Sequence, residues 1–291
     1  MKFFRVYIEL TNVCGLKCSF CPTKGRANTT MSLELFEQII EQVKVYTNEI
    51  ACHVVGDPFT LNNLSDYLDI LEKHHLKALL TTSGYYTKKQ KLDTIFHKAV
   101  KQINFSLNAY NKNDTSITLQ QYIKPIIDVC KAKETIAKEV FINLRVWNLD
   151  EALSEESFNK ELFKILELEF GVNLHIDLAS IKSKDSIRLS YKTLLHFDKY
   201  FEWPSMSNPV YGDGTCQGLS SHIAILADGT VVPCCLDSDA NINLGNLCNQ
   251  SLEQILQSQK FIDMKKGFTK GICTQELCLK CSYKDRFNET K

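Results

Sequence analysis

Three cysteines near the N-terminus, Cys14-Gly-Leu-Lys-Cys18-Ser-Phe-Cys21, are spaced so that their thiolates can wrap one corner of a metal cluster. A closed structural zinc or iron–sulfur site takes four protein ligands, and this loop supplies three. A cluster held this way keeps one iron open to a small molecule. The competing reading is a zinc site completed by a distant Cys or His. A second set, Cys216, Cys234 and the tail pair Cys278-Leu-Lys-Cys281, offers four thiolates, enough to close a tetrahedral metal or a complete cluster. Cys235 and Cys273 are rival ligands for that set. Neighbouring strand residues point to opposite faces, so Cys234 and Cys235 cannot easily share one site.

These groups need elements to hold them. Six short strand patterns recur, each followed by a helical one: Arg5–Leu10, Ile50–Val55, Ala78–Thr82, Gln102–Asn108, Val140–Trp147 and Val172–Leu178. Helices are expected over Met31–Val45, started by Ser32, and over Leu64–His74, Lys88–Lys98, Tyr122–Lys133 and Ser154–Phe170. Such alternation implies parallel strands joined by right-handed crossovers. Four strands carry apolar residues on one face and hydrogen-bonding groups on the other, among them Asn104, Ser106, Asn143, Arg145, His175 and Asp177. Parallel strands buried on both faces read as continuous apolar runs. The sheet is therefore expected to curl around a polar lumen that faces a ligand. His53, His175 and Asp177 are expected to face that lumen and act on a substrate.

From about Ser205 the pattern changes. A turn-rich linker (205–214) leads to Ile223–Leu226 and Thr230–Val232, flanking Ala227-Asp228-Gly229 as a hairpin. Ser251–Lys265 reads as one amphipathic helix.

The three-cysteine loop, with Phe20 just before its third cysteine, resembles the signature of the radical S-adenosylmethionine (radical SAM) enzymes. One strand later His53-Val-Val-Gly56-Asp57-Pro58-Phe59 is similar to that family's Gly-Gly-Glu-Pro loop, in a Gly-Asp-Pro form. The stretch Asp228-Gly-Thr-Val-Val-Pro-Cys234, with Leu244-Gly-Asn246 and the tail pair, resembles the twitch domain, a shortened SPASM auxiliary-cluster domain. The resemblance implies an α/β fold: a partial (β/α)6 TIM-like barrel over residues 1–204 and a small α+β twitch/SPASM-like domain over 205–291. It implies one [4Fe-4S] cluster on Cys14, Cys18 and Cys21 and an auxiliary [4Fe-4S] cluster on Cys216, Cys234, Cys278 and Cys281. S-adenosyl-L-methionine (SAM) would lie against Phe20, Gly56, Asp57, Pro58, Ser106 and Arg145. An electron donor such as flavodoxin or ferredoxin would reduce the first cluster. A 5′-deoxyadenosyl radical would then take hydrogen from a small-molecule or peptide substrate, and the auxiliary cluster would complete an oxidation. Peptide epimerisation or crosslinking is the alternative within the family. A zinc-binding interaction protein is the alternative outside it.

Composition narrows the partners. The 34 basic and 34 acidic residues balance, which argues against nucleic acid, and no apolar run long enough to span a membrane occurs. Twelve cysteines without an export signal read as metal chemistry in a reducing cytoplasm, not as a disulfide framework.

Overall fold

Alternation along each strand decides which way the wall faces. In β1 (Arg5–Ile8), Val6 and Ile8 are buried while Arg5 and Tyr7 stand on the other face. Then follow α1 (Leu33–Val43), β2 (Glu49–Ala51), α2 (Leu64–Lys73), β3 (Lys77–Thr82), α3 (Leu92–Ile95), β4 (Val100–Ser106), α4 (Asn108–Asn111), α5 (Leu119–Ile136), β5 (Phe141–Val146) and α6 (Glu156–Phe170). The chain continues through β6 (Ser186–Ser190), β7 (Thr193–Phe197), β8 (His222–Ile225), β9 (Thr230–Val232), β10 (Gly245–Asn246), α7 (Leu252–Leu256), α8 (Gln259–Thr269) and α9 (Glu276–Leu279). The structure is a computed structural model that describes residues 1–22, 25–149, 155–174, 176, 181 and 185–287 of the 291.

Among the described residues the strands form one sheet in the order β10-β9-β8-β1-β2-β3-β4-β5-β7-β6. Strands β1 to β5 and β7 run parallel, so six strands make the partial barrel, which is not closed. The helices cover its apolar face. Ser32 accepts from Leu35 N and starts α1, whose Phe36, Ile39, Ile40 and Val43 are buried. Each such side chain contributes about 1.5–3 kcal/mol by leaving water. The opposite face is the polar one expected: Gln102 donates to Asn104 Oδ1 at 2.8 Å, and Asn143 donates to the same oxygen at 3.0 Å.

Three expectations need correction. Residues 172–174 and 176 of the expected strand Val172–Leu178 are not in a strand; His175 and Asp177 lie outside the described residues. The sixth place belongs to β7, which pairs with β5 from Ile142↔Thr193 to Val146↔Phe197 after a tight turn with Lys192 at φ 56°. The pattern Lys88–Lys98 yields only a short 3₁₀ turn, Thr87–Lys89, and α3. The helix expected over Ser251–Lys265 breaks into α7 and α8, because extended Ser258 caps a new start by accepting from Phe261 N. The Asp-Gly hairpin forms between β8 and β9 with Gly229 at φ 84°. No helix of the described residues is long and apolar enough to cross a membrane.

Candidate active site with two cysteine-lined centres

All twelve cysteines are outside disulfides. The loop carrying Cys14, Cys18 and Cys21 leaves the carboxyl end of β1 and is held from its flanks. Tyr86 donates its hydroxyl to Cys14 O at 2.5 Å, and Asn113 Oδ1 takes Lys17 N at 2.7 Å. Ser19 N reaches Lys112 O at 3.0 Å. The Asn113 amide also donates to Cys18 Sγ at 2.8 Å. A hydrogen bond from Cys21 and this one from Asn113 bring the Cys18 thiol down to about 7, against burial. Cys14 and Cys18 are half-buried and Cys21 is exposed, so one side of the loop stays open.

The loop after β2 packs directly on this one. Gly56 sits at φ 83°, where a Cβ would meet Thr11 O at 2.3 Å and Asn12 Cα at 2.8 Å. Glycine is required there because two backbones touch. Asp57 N donates to Val13 O at 3.0 Å, while its buried carboxylate turns inward. It accepts from Phe59 N (3.0 Å), Thr82 Oγ1 (3.0 Å), Ser83 N (2.8 Å) and Ser83 Oγ (2.6 Å). Burial raises its pKa and these donors oppose the rise. Asp57 thus locks the end of β3 to the Gly-Asp-Pro turn, and Pro58 opens a single 3₁₀ turn behind it. Phe20 stacks on Tyr200 with centroids 5.6 Å apart. A cavity of about 450 Å³ lies beside them, lined by Cys21, Lys112, Tyr200, Phe201 and Trp203 among others.

Ser106 and Arg145 are register partners across β4 and β5, on the lumen side. His53 faces Tyr7 edge-on at 5.5 Å, and burial, with Arg145 and Arg5 nearby, drives its pKa down to about 3. It is a neutral imidazole at physiological pH.

The second centre is walled by apolar groups. Cys216, Cys234, Cys273, Cys278 and Cys281 line one cavity with Pro233, Phe268, Leu277 and Lys284. Burial raises the thiols, Cys216 to about 11 and Cys234 and Cys278 further. Lys284, only 2 % exposed, donates to Cys278 O (3.2 Å) and Cys281 O (2.6 Å) and holds the tail pair in its turn. Cys235 does not line this cavity; it packs with Tyr7, Val54 and Val232 on the lumen side. The two thiols diverge in the turn that follows the end of β9 at Val232, not by alternation along a strand.

A set of three cysteines on an open loop and a set of four or more around one apolar cavity fit one cluster with an exchangeable ligand and one without.

The two centres are tied together by contacts the sequence reading missed. Buried Glu9 accepts from Arg26 at 2.9 and 2.7 Å and from Ala227 N at 3.0 Å. Arg26 Nε reaches Ser238 O at 2.6 Å, and Gly25 N reaches Asp239 Oδ1 at 3.0 Å. A second missed feature is the aromatic seam Trp147–Phe201–Tyr283, with centroids 5.9 and 5.0 Å apart. Its signal was the run Tyr200-Phe201-Glu202-Trp203.

Comparison with known proteins agrees with this geometry. The radical SAM superfamily profile matches residues 8–147, and that of SPASM, an iron–sulfur cluster-binding domain, matches residues 216–282. GTP 3′,8-cyclase of Aquifex aeolicus is 26% identical over 271 residues, covering 82% of this chain and 83% of that protein. The S-adenosyl-L-methionine-dependent 2-deoxy-scyllo-inosamine dehydrogenase of Niallia circulans is 17% identical over 288 residues, covering 96% and 93%. The structure of BtrN in complex with AdoMet and 2-DOIA superimposes with a TM-score of 0.60 at 16% identity, covering 97% of this chain and 94% of that one. SAM, a [4Fe-4S] cluster and further iron–sulfur in the C-terminal part go with these two profiles. The chain is an enzyme with a radical SAM domain over residues 8–147 and a SPASM iron–sulfur cluster-binding domain over residues 216–282.

Proposed function

We propose that this enzyme removes two hydrogens from a small molecule bound in the lumen between the two cysteine-lined centres. The observation that carries this reading is a second set of four or more cysteines around one apolar cavity, beside an open set of three. A centre with no exchangeable position is suited to taking an electron, not to binding a reactant. When bound, SAM and the first cluster would supply the hydrogen-abstracting 5′-deoxyadenosyl radical and the auxiliary cluster a one-electron acceptor, the second hydrogen leaving as a proton to solvent. The protein's own groups do the rest. Cys14, Cys18 and Cys21 hold the first cluster; Cys216, Cys234, Cys278 and Cys281 hold the second. Phe20, Ser106 and the backbone around Gly56 and Pro58 form the cofactor wall, which Asp57 fixes from behind. Neutral His53 faces the substrate. The cavity of about 450 Å³ beside Cys21, lined by Phe20, Tyr200, Phe201 and Trp203, is of small-molecule size and opens at the first centre. We place residues 205–291 as the auxiliary domain and the protein in the cytoplasm, with a flavodoxin or ferredoxin as reductant.

Anaerobically reconstituted protein with dithionite, SAM and a metabolite extract tests this by mass spectrometry. The expected product is lighter by two hydrogens and disappears when the auxiliary cysteines are changed to Ala. A product of unchanged constitution that gains one mass unit in heavy water by taking up a solvent deuterium, or a modified peptide, would overturn it.

A further inference from the structure

The lumen holds hydrogen-bond donors that no group among the described residues satisfies. Arg145 Nε and Trp147 Nε1 are both buried without an acceptor among those residues, and the guanidinium lies 5.4 Å from the indole centroid. His53 Nδ1 is also buried without a partner. Burial holds Arg145 down to about 10, and Arg5 adds to the effect. A buried guanidinium is normally paired, because an uncompensated charge in low dielectric is costly.

Among the described residues, the carboxylates nearby are engaged with other cations. Glu49 binds Arg5 at 3.5 Å and also Lys101. Asp198 takes both oxygens to Arg286 Nη1 at 3.2 Å. Glu9 is held by Arg26. Asp198 offsets the Arg145 charge electrostatically, and no described carboxylate forms an ion pair with it. The lumen therefore presents a positive charge without a direct ion pair among those residues, flanked by neutral N–H donors, with Arg145 on β5 and the others just beyond β5 and β2. An arginine fork and ring N–H groups match an oxyanion in charge and geometry. A cationic amine would meet only repulsion there.

We infer that Arg145, with Trp147 and His53, recognises an oxyanion, a carboxylate or phosphate, on the molecule bound in the lumen. This rests on the reading of the lumen as the substrate site. Two sources carry that chemistry: the substrate, and the methionine carboxylate of SAM, with which the sequence reading placed Arg145. The surroundings favour the substrate. Arg145 interacts electrostatically with Tyr7, Arg5, Asp198 and Tyr283, toward the lumen floor and the C-terminal segment. The first cysteine loop is instead held by Tyr86, Lys112 and Asn113.

The test uses the anaerobic, cluster-loaded enzyme with inorganic phosphate and glutarate as probes, glycerol as the neutral control, and fixed ionic strength. Binding is read by calorimetry in the presence of SAM, and SAM binding is read separately. Wild type should bind at least one anionic probe saturably and glycerol not at all. Arg145→Met should weaken that probe at least tenfold and leave SAM affinity within twofold. Arg145→Lys should fall between, which keeps the test informative if Arg145→Met fails to load clusters. Ligand-free Arg145→Met should melt no lower than wild type, because an unpaired buried charge has been removed. A tenfold loss of SAM affinity with probe binding unmoved would assign the oxyanion to the cofactor and overturn the inference. Absence of probe binding in wild type, or a lower melting temperature in ligand-free Arg145→Met, would overturn it too. These readouts need no turnover. A wild type that binds the probes yet makes no oxidised product would count against the proposed reaction alone.

Discussion

The two cysteine centres differ in what surrounds them more than in what they contain. The first loop is held from its flanks by Tyr86, Lys112 and Asn113, and one thiol, Cys18, is drawn down to about 7 by hydrogen bonds. The second lines an apolar cavity where burial raises every thiol that shifts, Cys216 to about 11. Access and hydrogen bonding make one site suited to exchange, and apolar walls make the other suited to holding what it has. The same ligand type serves two purposes because the neighbourhood changes its chemistry.

The largest expected effect comes from removing either ligand set. Changing Cys14, Cys18 and Cys21 together to Ala should reduce SAM cleavage to the reagent background, measured as 5′-deoxyadenosine. Persisting cleavage would remove the basis for the whole contrast. Changing Cys216, Cys234, Cys278 and Cys281 to Ala should take away about half the iron, since each cluster of four irons carries half, yet leave substrate-free cleavage measurable.

Glycines give the next effect. Gly56→Ala should destabilise by about 2 kcal/mol or more, because positive φ and a 2.3 Å approach to Thr11 O act together. Gly218→Ala, beside Cys216, meets Pro233 O only at 3.1 Å and has no positive φ, so its loss should be smaller. Chemical denaturation of both variants compares the two loops, and equal losses would erase the distinction.

A smaller change is expected at Asn113. Its 2.8 Å donation to Cys18 Sγ should raise the first cluster's potential, so Asn113→Ala should make it more negative in an EPR-monitored redox titration. No movement would mean that the bond is lost once iron binds.

The smallest change is expected at Cys235→Ala. Its thiol packs against Tyr7 outside the second cavity, so iron content should equal wild type. A loss of auxiliary iron would make Cys235 the ligand. Loss of solvent deuterium from a product of otherwise unchanged constitution would make it a hydrogen donor in an epimerisation.

Much of this was readable from residue order. The Asp-Gly hairpin, the Ser32 cap and the polar faces of β4 and β5 are local or periodic signals, and all of them stand in the structure. What failed was choice among neighbours. Both Val172–Leu178 and Thr193–Phe197 alternate, and periodicity cannot say which pairs with β5. The decisive turn uses Lys192 at positive φ, which carries no glycine signal. Asp57 shows the same limit within the site. Its place in Gly-Asp-Pro suggested a cofactor contact, but the inward turn of its carboxylate depends on Thr82 and Ser83, a strand away. The Glu9–Arg26 pair and its link to Ala227 likewise join residues too distant in sequence for any local pattern.

The pairing of β8 with β1, from Arg5↔His222 to Ile8↔Ile225, has a consequence for biosynthesis. During translation β1 emerges first, and its partner strand comes more than two hundred residues later. Until then β1 is an open edge, able to template wrong pairings. Arg26 likewise waits for Ser238, and Gly25 for Asp239. The nascent barrel can hold Cys14 to Cys18 early through Tyr86 and Asn113, but it cannot fix Gly25 and Arg26, just beyond Cys21, until residues 222–239 have been made, so the first cysteine loop is completed in two stages.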